Sequence, residues 1–172
     1  MTPDKRLPPE MDQQLPRMYS IGQTNIVGRA TKDAAELSKE EMIAGVSVLE
    51  EKMRANRPES VCFVGKIVWE AVWKALFGRP IKKEEFIWGW QEIMFAKEDW
   101  EGGWEGCRAF VVPSTSGLVA AYSPQFKQAL WTVLGDWVQK RRKERGEIAP
   151  RVVEDNGEGG SDGTLKKENV SE

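Results

Sequence analysis

Between Pro58 and Phe77 the chain passes from a short apolar run, SVCFV, through Gly65 and Lys66 straight into the helical pattern IVWEAVWKALF. A strand that becomes a helix across two residues is half of a βαβ unit, and that commits the chain to an α/β fold. Because the run at Ser60–Val64 is continuous rather than alternating, it predicts a strand buried on both faces by helices. The helix over Ile67–Phe77 then turns Val68, Trp69, Val72 and Leu76 inward.

The same alternation extends in both directions. Ile21–Val27 (IGQTNIV) predicts a short strand, with Gly28 and Arg29 opening a polar loop. Ser38 is a good N-cap, Glu41 completes a capping box, and Met42, Val46, Leu49 and Met53 recur at helical spacing until Pro58 forbids continuation. Arg108–Val112 predicts the third strand, ended by Pro113, and after Ser123 and Pro124 a helix carries Phe126, Leu130, Val133, Leu134 and Trp137 on one face. Between Gly78 and Gly106 the chain is rich in tryptophan and without period, an insertion or hairpin. Its tryptophans at 88, 90, 100 and 104 stand among Glu98, Asp99, Glu101 and Glu105, which would repel phosphate, so packing is their expected role. The expected organisation is one domain over 1–145 and a disordered polar tail over 146–172. The expected architecture is a parallel sheet flanked by helices.

Composition narrows the chemistry. There is no histidine among 172 residues, which removes histidine triads and every histidine base. Cys62 and Cys107 have no partners for a metal site and suit reduced thiols in a cytosolic or nuclear protein. The start, MTPDKRLPPEMDQQLP, lacks the pattern of a secretory signal, and no apolar stretch approaches the roughly 20 residues that span a membrane, so no membrane partner is expected. With a net charge of -2, any nucleic-acid contact must come from local basic groups and backbone donors. The basic run Lys140–Arg145 is one such group, although a helix end of this kind more commonly solvates and caps itself.

In open α/β sheets, sites gather where strands end at their carboxyl termini. Three such ends are legible: Asn25–Thr31, Gly65 with Lys66, and Pro113–Leu118. Gly65–Lys66 at a helix start is an anion seat, although no glycine-rich nucleotide-binding loop precedes it. In RAFVVPSTSGLVAAY (Arg108–Tyr122) the small hydroxylated residues Ser114, Thr115 and Ser116 close on Gly117 and an apolar tip, Leu118. Alone, that segment is an ordinary turn after a core strand.

Four blocks together carry a resemblance: LPRMYSIGQTNIVGRAT (Leu15–Thr31), ELSKEEMIAG (Glu36–Gly45), VCFVGKIVWEAV (Val61–Val72) and FVVPSTSGL (Phe110–Leu118). In order and spacing they resemble the mismatch-specific uracil and thymine DNA glycosylases of the uracil-DNA glycosylase superfamily. The resemblance implies a nuclear, monomeric, cofactor-free and metal-free repair enzyme that flips a mispaired pyrimidine out of double-stranded DNA and hydrolyses its bond to deoxyribose. It implies that Asn25 reads the flipped base, Thr31 orients the attacking water, and Gly65 and Lys66 hold DNA phosphate. It also implies that Ser114, Thr115, Ser116, Gly117 and Leu118 form a wedge loop, with Leu118 inserted into the vacated stack.

One departure stands beside these matches. The family's glycine-isoleucine-asparagine-proline-glycine motif, whose asparagine holds the hydrolytic water, does not occur in this sequence, nor does the aromatic residue that soon follows it. In the family that motif ends a central strand between those corresponding to Thr24–Val27 and Ser60–Val64. The expectation is therefore a member truncated ahead of Met1, its central first strand outside this sequence, rather than a degenerate product. Two other functions stay open: a catalytically inactive DNA-binding fragment, and an unrelated α/β protein that binds a phosphorylated ligand at Gly65.

Overall fold

The structure, a computed structural model, describes residues 9–32, 36–101, 103–115 and 121–147. A 3-10 turn (Pro9–Gln14) leads into a short helix α1 (Leu15–Tyr19), followed by α2 (Lys39–Asn56), β1 (Ser60–Val64), α3 (Lys66–Phe77), β2 (Gly89–Phe95), β3 (Cys107–Val112) and α4 (Pro124–Glu144). The capping box forms: the Glu41 backbone N–H donates to Ser38 Oγ at 3.1 Å, and the Ser38 N–H donates to the Glu41 carboxylate at 3.0 Å. Ser123 caps α4 in the same manner, accepting from the Phe126 N–H at 3.2 Å. No described helix is long and apolar enough to cross a membrane.

The sheet has the order β1-β3-β2. β1 and β3 run parallel with Val61 opposite Ala109 and Phe63 opposite Val111, while β2 joins β3 antiparallel with a register shift between Trp90 and Met94. The class is α/β, as expected, but the sheet is mixed. The tryptophan-rich stretch supplies β2 as one arm of a hairpin, a strand its irregular pattern concealed.

Side-chain alternation along β3 divides the layers. Cys107, Ala109 and Val111 join Phe63, Val46, Leu49, Trp69, Val72 and Phe95 in the core beneath α2 and α3. On the opposite face, Phe110 meets Trp90 at 4.7 Å, Trp90 meets Trp137 of α4 at 4.9 Å, and the Arg108 guanidinium lies 4.2 Å over the Trp90 ring. Trp88 packs on Phe86 and Tyr122, and Trp104 on the core, while Trp100 stays exposed. At the end of α4 the basic run is paired: Arg141 and Arg145 bind Glu59, and Arg145 also binds Glu147.

Two expectations need correction. Ile21–Val27 is irregular, not a strand, because extended chain needs a ladder partner and no described strand lies beside it. β1 is not enclosed on both faces: α4 lies over β3 and β2, which leaves Cys62 half-buried and Val64 41% exposed. For the same reason the apolar stripe of α4 is only partly covered, with Leu130, Leu134 and Trp137 half-buried and Phe126 and Val133 exposed. The tail expected from residue 146 lies outside the described residues beyond Glu147.

Candidate functional site

Parallel pairing brings two strand tips together. Val64 stands opposite Val112, and the Gly65 N–H donates to the Val112 carbonyl at 2.8 Å, so the start of α3 and the Pro113 loop leave the same end of the sheet. Gly65 has φ +108°, a left-handed conformation open to glycine, which lets the chain turn into α3 without an intervening loop. Lys66 Nζ lies 4.7 Å above the Phe86 ring and 3.7 Å from Glu70. Pro113 is buried, Ser114 half-buried and Thr115 exposed. Ser116, Gly117 and Leu118, the tip of the expected wedge, lie outside the described residues.

Beside the outer edge of β1 is a cavity of about 530 Å³. One wall is Thr24–Val27 with Arg29–Thr31, the other Val61–Val64, and Leu37, Leu49 and Val68 close it between them. Asn25 and Thr31 therefore face one space, whereas Gly65 and Lys66 adjoin it without lining it. The Asn25 side-chain amide makes no hydrogen bond to any described residue. An amide so exposed can donate and accept at once toward a ligand.

The cavity edge of β1 is itself a source of hydrogen bonds. The Arg108 N–H donates to Glu59 O and the Gly65 N–H to Val112 O, so by the alternation of a parallel ladder the odd residues of β1 bond to β3. The N–H and C=O groups of Ser60, Cys62 and Val64 consequently face away from β3, with no described strand to meet them.

Electrostatically the lining is almost neutral. Burial pushes the Cys62 thiol up to about 12, which keeps it protonated and unreactive at neutral pH. The one charged lining group among the described residues, Arg29, is already engaged: Nε and Nη2 grip the Glu41 carboxylate at 2.8 and 3.1 Å, and Nη2 also donates to the Glu36 carbonyl at 2.8 Å. That guanidinium, reinforced by the Ser38 N–H, holds the Glu41 carboxyl down at about 2. Among the described residues no carboxylate lines the cavity, so its described walls can bind a polar ring and orient water but supply no general base. Nor do the described residues contain a cluster of three or more metal-ligating side chains. Sequence reasoning missed the Arg29–Glu41 pair, because a capping-box glutamate carries no mark of a second partner 12 residues away.

The described fold is thus an α/β sheet with a cavity beside β1 whose lining holds the unbonded Asn25 amide and the hydroxyls of Thr24 and Thr31. Its family is shown by comparison: the chain belongs to the uracil DNA glycosylase superfamily, whose model matches residues 5–135. The G/U mismatch-specific uracil DNA glycosylase of Schizosaccharomyces pombe is 35% identical over 133 residues, which is 77% of this chain and 38% of that relative. The chain thus spans well under half the length of the relative it matches.

Proposed function

We propose that this chain is the base-reading and DNA-gripping part of a glycosylase that removes uracil or thymine from mispairs with guanine, acting in the nucleus. The observation that carries the reading is the pair Asn25 and Thr31 facing one cavity, with an unbonded amide on Asn25. A flipped uracil offers an acceptor carbonyl beside a ring N–H, and a side-chain amide meets both at once. Thr31 then orients water at the glycosidic bond. Gly65 and Lys66 hold a phosphate at the start of α3, where the Gly65 N–H is taken by Val112 but the amides after it and the helix dipole add to the lysine charge. The Ser114–Leu118 loop, leaving the same sheet end, fills the gap with Leu118.

Beside Thr31 the hydrolytic step calls for a second water-holding group, the family's asparagine, which the described cavity lacks, and this favours a second reading, duplex binding without cleavage. Uracil excision from a G·U duplex separates the two. This chain is compared with the same chain joined to a segment carrying the family's asparagine-bearing strand. Excision by either, lost in Asn25→Ala, supports the glycosylase; tight duplex binding with no excision by both supports the second reading. In an active form, Leu118→Ala weakens action on mispairs more than on single-stranded uracil, since only the duplex leaves a gap to plug. Equal loss on both substrates refutes the wedge.

A further inference from the structure

The Thr24–Thr31 segment has neither ladder nor helix to hold it, yet it forms a wall of the cavity. What holds it is α2. Lys52 Nζ donates to Thr24 Oγ1 at 2.9 Å, and the Arg29 guanidinium grips Glu41. Between these ties Gly45 lies against the Ile26 backbone. A Cβ on Gly45 would overlap the Ile26 carbonyl oxygen and sit 3.1 Å from its carbonyl carbon. Backbone cannot swing aside as a side chain can, so the fit requires glycine.

The three contacts share one face of the helix. Glu41, Gly45 and Lys52 are separated by four and seven residues, the spacing of a single α-helical stripe about 16 Å long. Their partners come in reverse order, Arg29, Ile26 and Thr24, so the segment runs antiparallel along α2. Its five steps reach at most about 18 Å, comparable with the stripe they follow.

We infer that α2 is a positioning rail for the site, in which Gly45 and Lys52 set Asn25 between them while the Arg29–Glu41 pair sets Thr31. This rests on the reading of the cavity as a base pocket, and it assigns different consequences to the two ends of the rail. Gly45 neighbours the base-reading residue, so displacement there weakens substrate binding. Arg29 stands two residues before the water-orienting hydroxyl, so its loss slows the chemical step.

The test uses Gly45→Ala, Arg29→Gln and Arg29→Lys. Amide exchange over Asn25–Thr31 is measured in the 172-residue chain, and steady-state kinetics in whichever form excises uracil. Gly45→Ala should raise KM about tenfold with kcat within about twofold, and Arg29→Gln should lower kcat about tenfold with KM little changed. Arg29→Lys should recover part of that loss. Parallel changes in kcat and KM that track a fall in melting temperature would mean the contacts are structural only, and overturn the assignment. Should no form excise uracil, the base-pocket reading fails on its own. Exchange then decides the rail: faster exchange in Gly45→Ala and Arg29→Gln upholds it, and unchanged exchange overturns it.

Discussion

The two edges of the sheet are built differently. On the β2 side, β3 is paired along its length, the hairpin covers it, and Phe95, Cys107, Ala109 and Phe110 are fully buried. On the β1 side no described strand pairs with the outer edge, the adjoining segment is irregular, and about 530 Å³ of space lies between them. Apolar packing holds the first region, whereas the second is tied through a lysine, an arginine and a glycine to α2. Packing against many neighbours is stiff and hard to adjust. A segment held at a few polar points can carry a site whose side chains remain free for a ligand.

If that contrast is right, truncation to alanine must cost most on the packed side. Trp69 is fully buried against Phe63 and Trp73, so Trp69→Ala should destabilise by about 3–5 kcal/mol and lower the melting temperature by about 6–20 °C. Trp69→Phe should cost less, partly because the buried indole N–H has no acceptor among the described residues and nothing is lost with it. Ile26→Ala, on the open side and only half-buried, should cost about 1 kcal/mol. Equal costs in calorimetry would erase the distinction. An effect between these two is expected where α1 meets α4: Arg142, 8% exposed, donates to the Tyr19 carbonyl. Arg142→Ala strands that buried acceptor, at about 1–3 kcal/mol, and should loosen α1 and the residues leading into Thr24 before it affects β2 or β3.

How far each side was legible follows from the kind of interaction that builds it. The Ser60–Val64 strand, both helices flanking it and their caps could be read directly, because periodicity and capping are local. β2 could not. Its residues GWQEIMF mix buried Gln91 with exposed Met94, and Gln91 is buried only because its amide donates to the carbonyls of Ile87 and Gly89. Ile21–Val27 misled in the opposite sense: its β-forming residues are real, but a strand is a property of a pair and the partner is not among the described elements. Asn25 and Thr31 were singled out through resemblance, and both line one cavity. The ties that hold them to α2 were not legible, since Gly45 and Lys52 look like ordinary helix positions until their tertiary neighbours are known.

Acid should separate the two regions by the smallest but most selective effect. Glu41 and Glu85 are each held down at about 2, from an ordinary value of 4.5, by Arg29 and Arg79 respectively. A depressed folded value means that each pair's contribution is complete above about pH 4.5 and is lost as pH falls through about 2. Both pairs are exposed, so added salt should shrink both contributions. They differ in what they hold. Arg79–Glu85 closes the turn between α3 and β2, on the packed side, whereas Arg29–Glu41 is the end tie of an otherwise unladdered segment. Lowering the pH from 5 to 3 should therefore reduce the amide-exchange protection factors over Asn25–Thr31, each taken against the intrinsic rate at its own pH, while leaving β2 and β3 protected. Glu41→Gln can keep the capping hydrogen bond to Ser38 while losing the charge that attracts Arg29. In that variant the segment's protection factors should already be low at pH 5 and change little on further acidification, whereas Glu85→Gln should leave the segment's pH response intact. A segment response that survives Glu41→Gln would show that the tie to α2 is not what holds the open side.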